Sequence, residues 1–154
     1  MAVVRIRGRV DVPRDLANTL KMLRLNYLNH CVIIDDRKSY LRMLYKAKDI
    51  VAWGELDEKG AISLLTKRGR LPGDVRLTDD YVKDHTSFKS IEAFAKAFCN
   101  GKTELKDIPG LKPVFRLHPP KKGHRRGGIK KSYTLGGALG PHGSEINALV
   151  HKMA

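Results

Sequence analysis

The sequence predicts an α+β fold from three observations. Apolar residues recur in the order strand, helix, strand, helix, strand up to Gly54, and beyond it helical patterns take over almost alone. The chain has 154 residues, 42% of them hydrophobic, which is enough for one domain with a sizeable core. A late stretch rich in glycine, proline and positive charge supports neither helix nor strand.

The first strand is expected over Val3 to Val10, where Val4, Ile6, Gly8 and Val10 alternate with Arg5, Arg7 and Arg9 to give an arginine face. Pro13 opens a helix with Leu16, Leu20 and Leu23 on one stripe, ending near Asn26. The β-branched run Cys31 to Ile34 reads as a second strand, stopped by the charged turn Asp35 to Lys38. Ser39 is expected to cap a second helix, and Ile50 to Trp53 to extend as a third strand. Asp57 caps a helix through Ile62, Leu65 and Thr66, with Gly69 as a left-handed terminator. Thr78 opens a short helix and Ser87 a longer one carrying Ile91, Phe94, Ala95 and Phe98. Val114 to Leu117 is a short strand, and Ser144 caps a closing helix with Ile146, Leu149, Val150 and Met153 inward. Both cysteines, Cys31 and Cys99, are expected to be small buried hydrophobes.

Charge divides the chain unevenly. Lys and Arg number 30 against 16 Asp and Glu, a net charge of +14, and residues 108–144 hold eight of the basic groups and no carboxylate. The same span holds eight of the 14 glycines and five of the seven prolines, so the charges stand on irregular backbone that can follow a phosphate path. Phosphate binding releases counterions, which gives such a surface strong, salt-dependent affinity for nucleic acid. A packed helix follows the segment and tethers it, which favours a stretch ordered on RNA over a free linker. A membrane is disfavoured, because no apolar run reaches spanning length and the start of the chain is no signal peptide; a cytoplasmic protein is expected.

Several stretches, Val4-Arg-Ile-Arg-Gly8, Ile50-Val-Ala-Trp-Gly54, Thr66-Lys-Arg-Gly69 and Arg116-Leu-His-Pro-Pro-Lys-Lys-Gly-His124, resemble the large-subunit ribosomal protein family called L-thirty, in its archaeal form. The eukaryotic relatives are called L-seven. The likeness runs through nearly the whole chain, including Gly136-Gly137 and the closing helix. Alternation of strands and helices would by itself suggest a parallel sheet. The resemblance implies instead a β-α-β-α-β core, ferredoxin-like in part, with a three-stranded antiparallel sheet and helices on one face. The expected division is residues 1–56 for that core, 57–107 for a helical extension, 108–143 for a basic rRNA-binding segment and 144–154 for the closing helix. The chain departs from the eukaryotic pattern in lacking a long basic arm before the first strand, so no contact by such an arm is expected.

The resemblance implies a structural constituent of the large ribosomal subunit. Its partners are then the rRNA and neighbouring ribosomal proteins, with no small-molecule substrate, cofactor or metal. Carried onto this sequence, the candidate rRNA-binding residues are His118, Pro119, Pro120, Lys121, Lys122, Gly123, His124, Arg125, Arg126, Gly127, Lys130, Lys131, Gly136 and Gly137 in the basic segment. Lys67, Arg68 and Gly69 form a second patch, and Arg7 is retained from the arginine face. Shape is read more than sequence, because the deep groove of A-form RNA is closed to side chains. Stacking of single-stranded bases is not expected, since only Phe115 and Tyr133 border the basic segment, too few for an aromatic platform. Two alternatives are a DNA-binding or chromatin protein, which lacks a recognition-helix motif here, and an RNA-processing enzyme built on His118, His124 and His142. No carboxylate in the span orients those imidazoles, no nucleophile motif is present, and no Cys-x-x-Cys offers a metal site.

Overall fold

The computed structural model describes all residues from Met1 to Ala154. Strand β1 (Ala2–Arg5) runs at the centre of a sheet, antiparallel to β2 (His30–Ile33) on one side and to β3 (Val51–Gly54) on the other. Val3 stands opposite Val32 and Trp53, so the expected antiparallel trio is present. Two further strands widen it. β4 (Val114–Arg116) adds antiparallel to β2, and β5 (Gly140–Pro141) adds parallel to β3, giving the order β4-β2-β1-β3-β5.

Period two along the strands sorts side chains into two cores. Val3, Val32, Val51 and Trp53 point to the layer of helices α1 (Arg14–Met22) and α2 (Lys38–Lys46), which contribute Leu20 and Leu44. Ala2, Val4, Cys31, Ala52 and Phe115 point to the opposite layer, built by α3 (Glu58–Arg68), α4 (Asp79–His85), α5 (Ile91–Cys99) and α6 (Ile146–Met153). The core helices therefore lie on one face and the extension covers the other, which leaves the sheet no solvated face. Cys31 is buried as expected, and burial pushes its thiol up to about 12; Cys99, at the end of α5, is exposed, against the expectation.

Several boundaries differ from the sequence reading for local reasons. β1 stops at Arg5, because the amides of Ile6 and Arg7 both turn onto the Ile50 carbonyl, at 2.9 and 3.2 Å, and end the ladder. Helix α1 ends at Met22, four residues before the expected Asn26, where Arg24 adopts φ 60°. Helix α2 begins at Lys38 after Arg37, without a side-chain cap, so Ser39 lies inside it. The Asp57 carboxylate does cap α3 by accepting from the Gly60 amide at 2.6 Å, and Thr78 caps α4. Ser90, not Ser87, caps α5 by accepting from the Ala93 amide at 3.2 Å. Gly69 is extended rather than left-handed, at φ −58°; its need is for space, since a Cβ there would overlap the Leu65 carbonyl oxygen. Ser144 falls in a 3-10 turn, Gly143–Glu145, that leads into α6 with no side-chain cap.

Candidate nucleic-acid interface

The basic segment leaves β4 and first meets the end of α6. A helix C-terminus carries carbonyls with no intrahelical partner. Here the His118 amide donates to the Met153 carbonyl at 2.9 Å and the Lys121 amide to that of Lys152 at 3.0 Å. Pro120 is buried beside this joint, while His118 and Pro119 are exposed. The chain then closes on itself: the Gly127 amide donates to the Gly136 carbonyl at 3.1 Å, Gly137 to Ser132 at 2.8 Å, and Ala138 to Lys131 at 3.2 Å. Gly137 is buried where a Cβ would overlap the Lys131 carbonyl, and Gly136 turns the chain at φ 80°. The segment is thus a compact knot of turns, a closure that its composition did not announce.

Tyr133 is the knot's internal pillar. The Arg125 guanidinium carbon lies 4.1 Å from its ring centroid, and the His142 ring stacks at 4.0 Å. His142 is 7% exposed, and its Nε2 donates to the Ala138 carbonyl at 3.1 Å, which fixes the proton on that nitrogen because a carbonyl can only accept. Around the pillar, Lys121, Lys122, Arg125, Arg126, Lys130 and Lys131 are all exposed. Only Arg125 has an acidic neighbour, Glu145 at 3.9 Å, and an exposed pair of that length contributes little. The other five charges stand unpaired on backbone closed by these hydrogen bonds.

The second patch converges on the same helix end. Arg68 donates through Nε at 3.2 Å and Nη2 at 2.8 Å to the Ala154 carbonyl, so α6's last turn joins Lys67 and Arg68 to the knot. Lys67 is exposed, whereas Gly69 is buried. Sequence reasoning passed over Arg76, which bridges Arg70 across a hairpin at Pro72–Asp74. Burial, with Arg70 and Arg76 nearby, pushes the Arg68 guanidinium below its ordinary range, and Arg70 Nη1 is buried without a partner. Arg70 and Arg76 thus lie near enough to Arg68 to disfavour its charge.

Of the expected arginine face, Arg5 is 4% exposed and fully engaged, donating to the carbonyls of Leu25, Arg7 and Gly8 at 2.7, 2.9 and 2.8 Å. That makes it a structural strut. Arg7 is exposed and donates to the Asp49 carbonyl at 3.3 Å. His124 is half-buried with Nδ1 unpartnered, and burial lowers its pKa.

Three histidines, His30, His124 and His142, have pKa values lowered by burial from an ordinary 6.5. The unfolded chain therefore takes up protons first as pH falls, so stability is full above about 6.5 and declines below it. Thermal melting at pH 7.5 and pH 5 is expected to show a lower Tm at pH 5, with a smaller difference in a His142→Gln variant; equal midpoints would contradict the burial argument.

Fold and surface together define a basic α+β protein that presents a cluster of exposed, unpaired cations. The chain matches the family model described as Ribosomal protein L30p/L7e over residues 1–51. It is 55% identical to the large ribosomal subunit protein uL30 of Methanopyrus kandleri, over 96% of this chain and 99% of that protein. The uL30 proteins of Methanocorpusculum labreanum and Archaeoglobus fulgidus are 54% and 55% identical, each over 99% of this chain and 98% of their own length. The chain belongs to this L30p/L7e family. It is a family of ribosomal components, not of enzymes, and no helix of the structure is long and apolar enough to cross a membrane.

Proposed function

We propose that the chain is a structural constituent of the large ribosomal subunit that binds rRNA and supports translation in the cytoplasm. The observation that carries this reading is the knot over residues 118–137, where five exposed cations without acidic partners stand on backbone anchored to α6. Such a base holds the charges in one arrangement, so little conformational freedom is lost when phosphates arrive. Lys121, Lys122, Arg126, Lys130 and Lys131 neutralise phosphates, and His118 and neutral His124 offer hydrogen bonds. Pro119, Gly123 and Gly136 let backbone approach the sugar edge, while Pro120, Gly127 and Gly137 shape the knot from within. Lys67 extends the surface beyond α6, with Arg68 and Gly69 holding that corner in place, and Arg7 lies on a separate edge. The units at 1–56, 57–107, 108–143 and 144–154 divide this work into scaffold, cover, contact and anchor. Neighbouring ribosomal proteins are its other partners. No small molecule, cofactor or membrane enters this role.

The test is sedimentation of tagged protein from its own cell extract, in salt high enough to strip loosely held basic proteins. Co-migration with large subunits in near one-to-one amount is expected. Migration at the top of the gradient, or with DNA, would sink the reading.

A further inference from the structure

A second surface forms where the residues after β1, the turn between α1 and β2, and the end of β4 come together. The Arg9 guanidinium carbon lies 4.0 Å from the centroid of the Tyr27 ring, and its Nε is fixed on the Asn26 carbonyl at 2.9 Å. The His30 ring leans on Tyr27 at 5.2 Å between centroids. Tyr27 is nonetheless 57% exposed. A stacked pair of arginine and tyrosine is thus presented to solvent, with its orientation set from below.

The frame beneath is rigid. Arg5 ties the Leu25 carbonyl to those of Arg7 and Gly8 and so clamps both loops. The Asn29 amide donates to Arg5 at 2.9 Å, and the Asn29 carbonyl accepts from Leu117 at 3.0 Å, which joins the corner to β4. Arg24 and Asn29 are held at φ 60° and 61°, a left-handed backbone that side chains adopt only where their surroundings impose it. Arg24 and Arg116 are exposed and belong to none of the ion pairs.

We propose that this corner is a nucleotide-stacking subsite, in which an unpaired RNA base lies on the Arg9–Tyr27 stack and its phosphates meet Arg24 and Arg116. The proposal rests on the RNA-binding reading and deepens it. The knot offers charge to a backbone path, and Tyr133 within it is half-buried under Arg125 and His142, whereas Tyr27, packed by Arg9 and His30, keeps 57% of its surface exposed. The corner offers an exposed arginine–tyrosine stack beside further guanidinium groups, the combination that holds splayed bases without regard to their identity. Because only Leu117 separates the end of β4 at Arg116 from His118, one RNA strand can pass from this corner to the knot.

The experiment is equilibrium binding of the full chain to protein-free large-subunit rRNA over a salt series, with Tyr27→Ala, Tyr27→Phe and Arg9→Lys compared and folding checked by circular dichroism. Tyr27→Ala is expected to weaken binding about tenfold with an unchanged salt slope, the loss of one base stack. Tyr27→Phe should bind as the parent does, and Arg9→Lys should weaken binding although its charge is kept. Photocrosslinking should place a nucleotide adduct on the Tyr27 peptide. Parental affinity in Tyr27→Ala, alongside loss in a variant lacking the knot's lysines, would overturn the subsite and leave the RNA reading standing. A fall in salt slope with Tyr27→Ala would overturn stacking in favour of electrostatics. A parent chain that prefers duplex DNA to the rRNA would overturn both.

Discussion

A chain carrying Lys121→Gln, Lys122→Gln, Arg126→Gln and Lys130→Gln is expected to bind large-subunit rRNA on the order of a hundredfold more weakly at moderate salt, with a salt slope shallower by about three. All four side chains are exposed and none belongs to an ion pair, so nothing in the fold depends on their charge. The Lys121 contact that matters to structure is its backbone amide on Lys152, which glutamine keeps. Arg125 is left in place because its guanidinium packs on Tyr133. Each cation that neutralises a phosphate contributes roughly 0.7 to 0.9 to the slope, so four of them set the expected change. The two affinities should converge as salt rises, since counterion release is the term removed. Titration of both chains across a salt series, with melting midpoints compared, checks the result. An unchanged slope would mean that the knot's charges face only solvent.

What brings those charges onto one segment was legible only in part. The absence of carboxylates from 108 to 144 is a property of the chain order, so the basic segment could be delimited by reading. Its closure could not, because the bonds from Gly127 to Gly136 and from Ala138 to Lys131 involve backbone atoms that carry no residue signature. The same division holds elsewhere. Asp57 and Thr78 act on amides three residues ahead, so their caps follow from local spacing. Arg5 reads as one member of an arginine face whose covering stays open, since alternation reports sides of a strand and not what lies over them. Helix α1 and the turn after it cover that side, and four backbone carbonyls take the guanidinium in. Strand β5 is two residues long with a proline, Gly140–Pro141, and no propensity argument finds it; the Trp53 carbonyl, which accepts from the His142 amide at 2.8 Å, holds it in place. Arg76 and Tyr27 escaped for the same reason as Arg5. Their neighbours are distant in the chain, and a search confined to the basic segment does not reach them.

That joint between β3 and the start of α6 carries the largest expected effect on stability, through Gly54. Gly54 ends β3 opposite Ala2 and is fully enclosed. A Cβ at that position would overlap the Gly143 carbonyl oxygen and stand 2.9 Å from the Ile146 Cβ. Neither neighbour can give way cheaply: the Gly143 carbonyl accepts from the Glu55 amide at 3.1 Å, and Ile146 is completely buried in the first turn of α6. Overpacking of this kind costs about 3 kcal/mol. Gly54→Val is therefore expected to lower Tm by roughly 6–12 °C for a chain of this size. Gly8, the glycine of the first family-like stretch, has no atom within 4 Å of its would-be Cβ, so Gly8→Ala is expected to melt with the parent. Two glycines that look alike in the sequence are thus separated by what packs on them. Equal melting of Gly54→Val and the parent would mean that α6 can shift off the sheet edge. The knot, which hangs on α6's last turn through His118 and Lys121, would then be a mobile attachment and not a fixed surface.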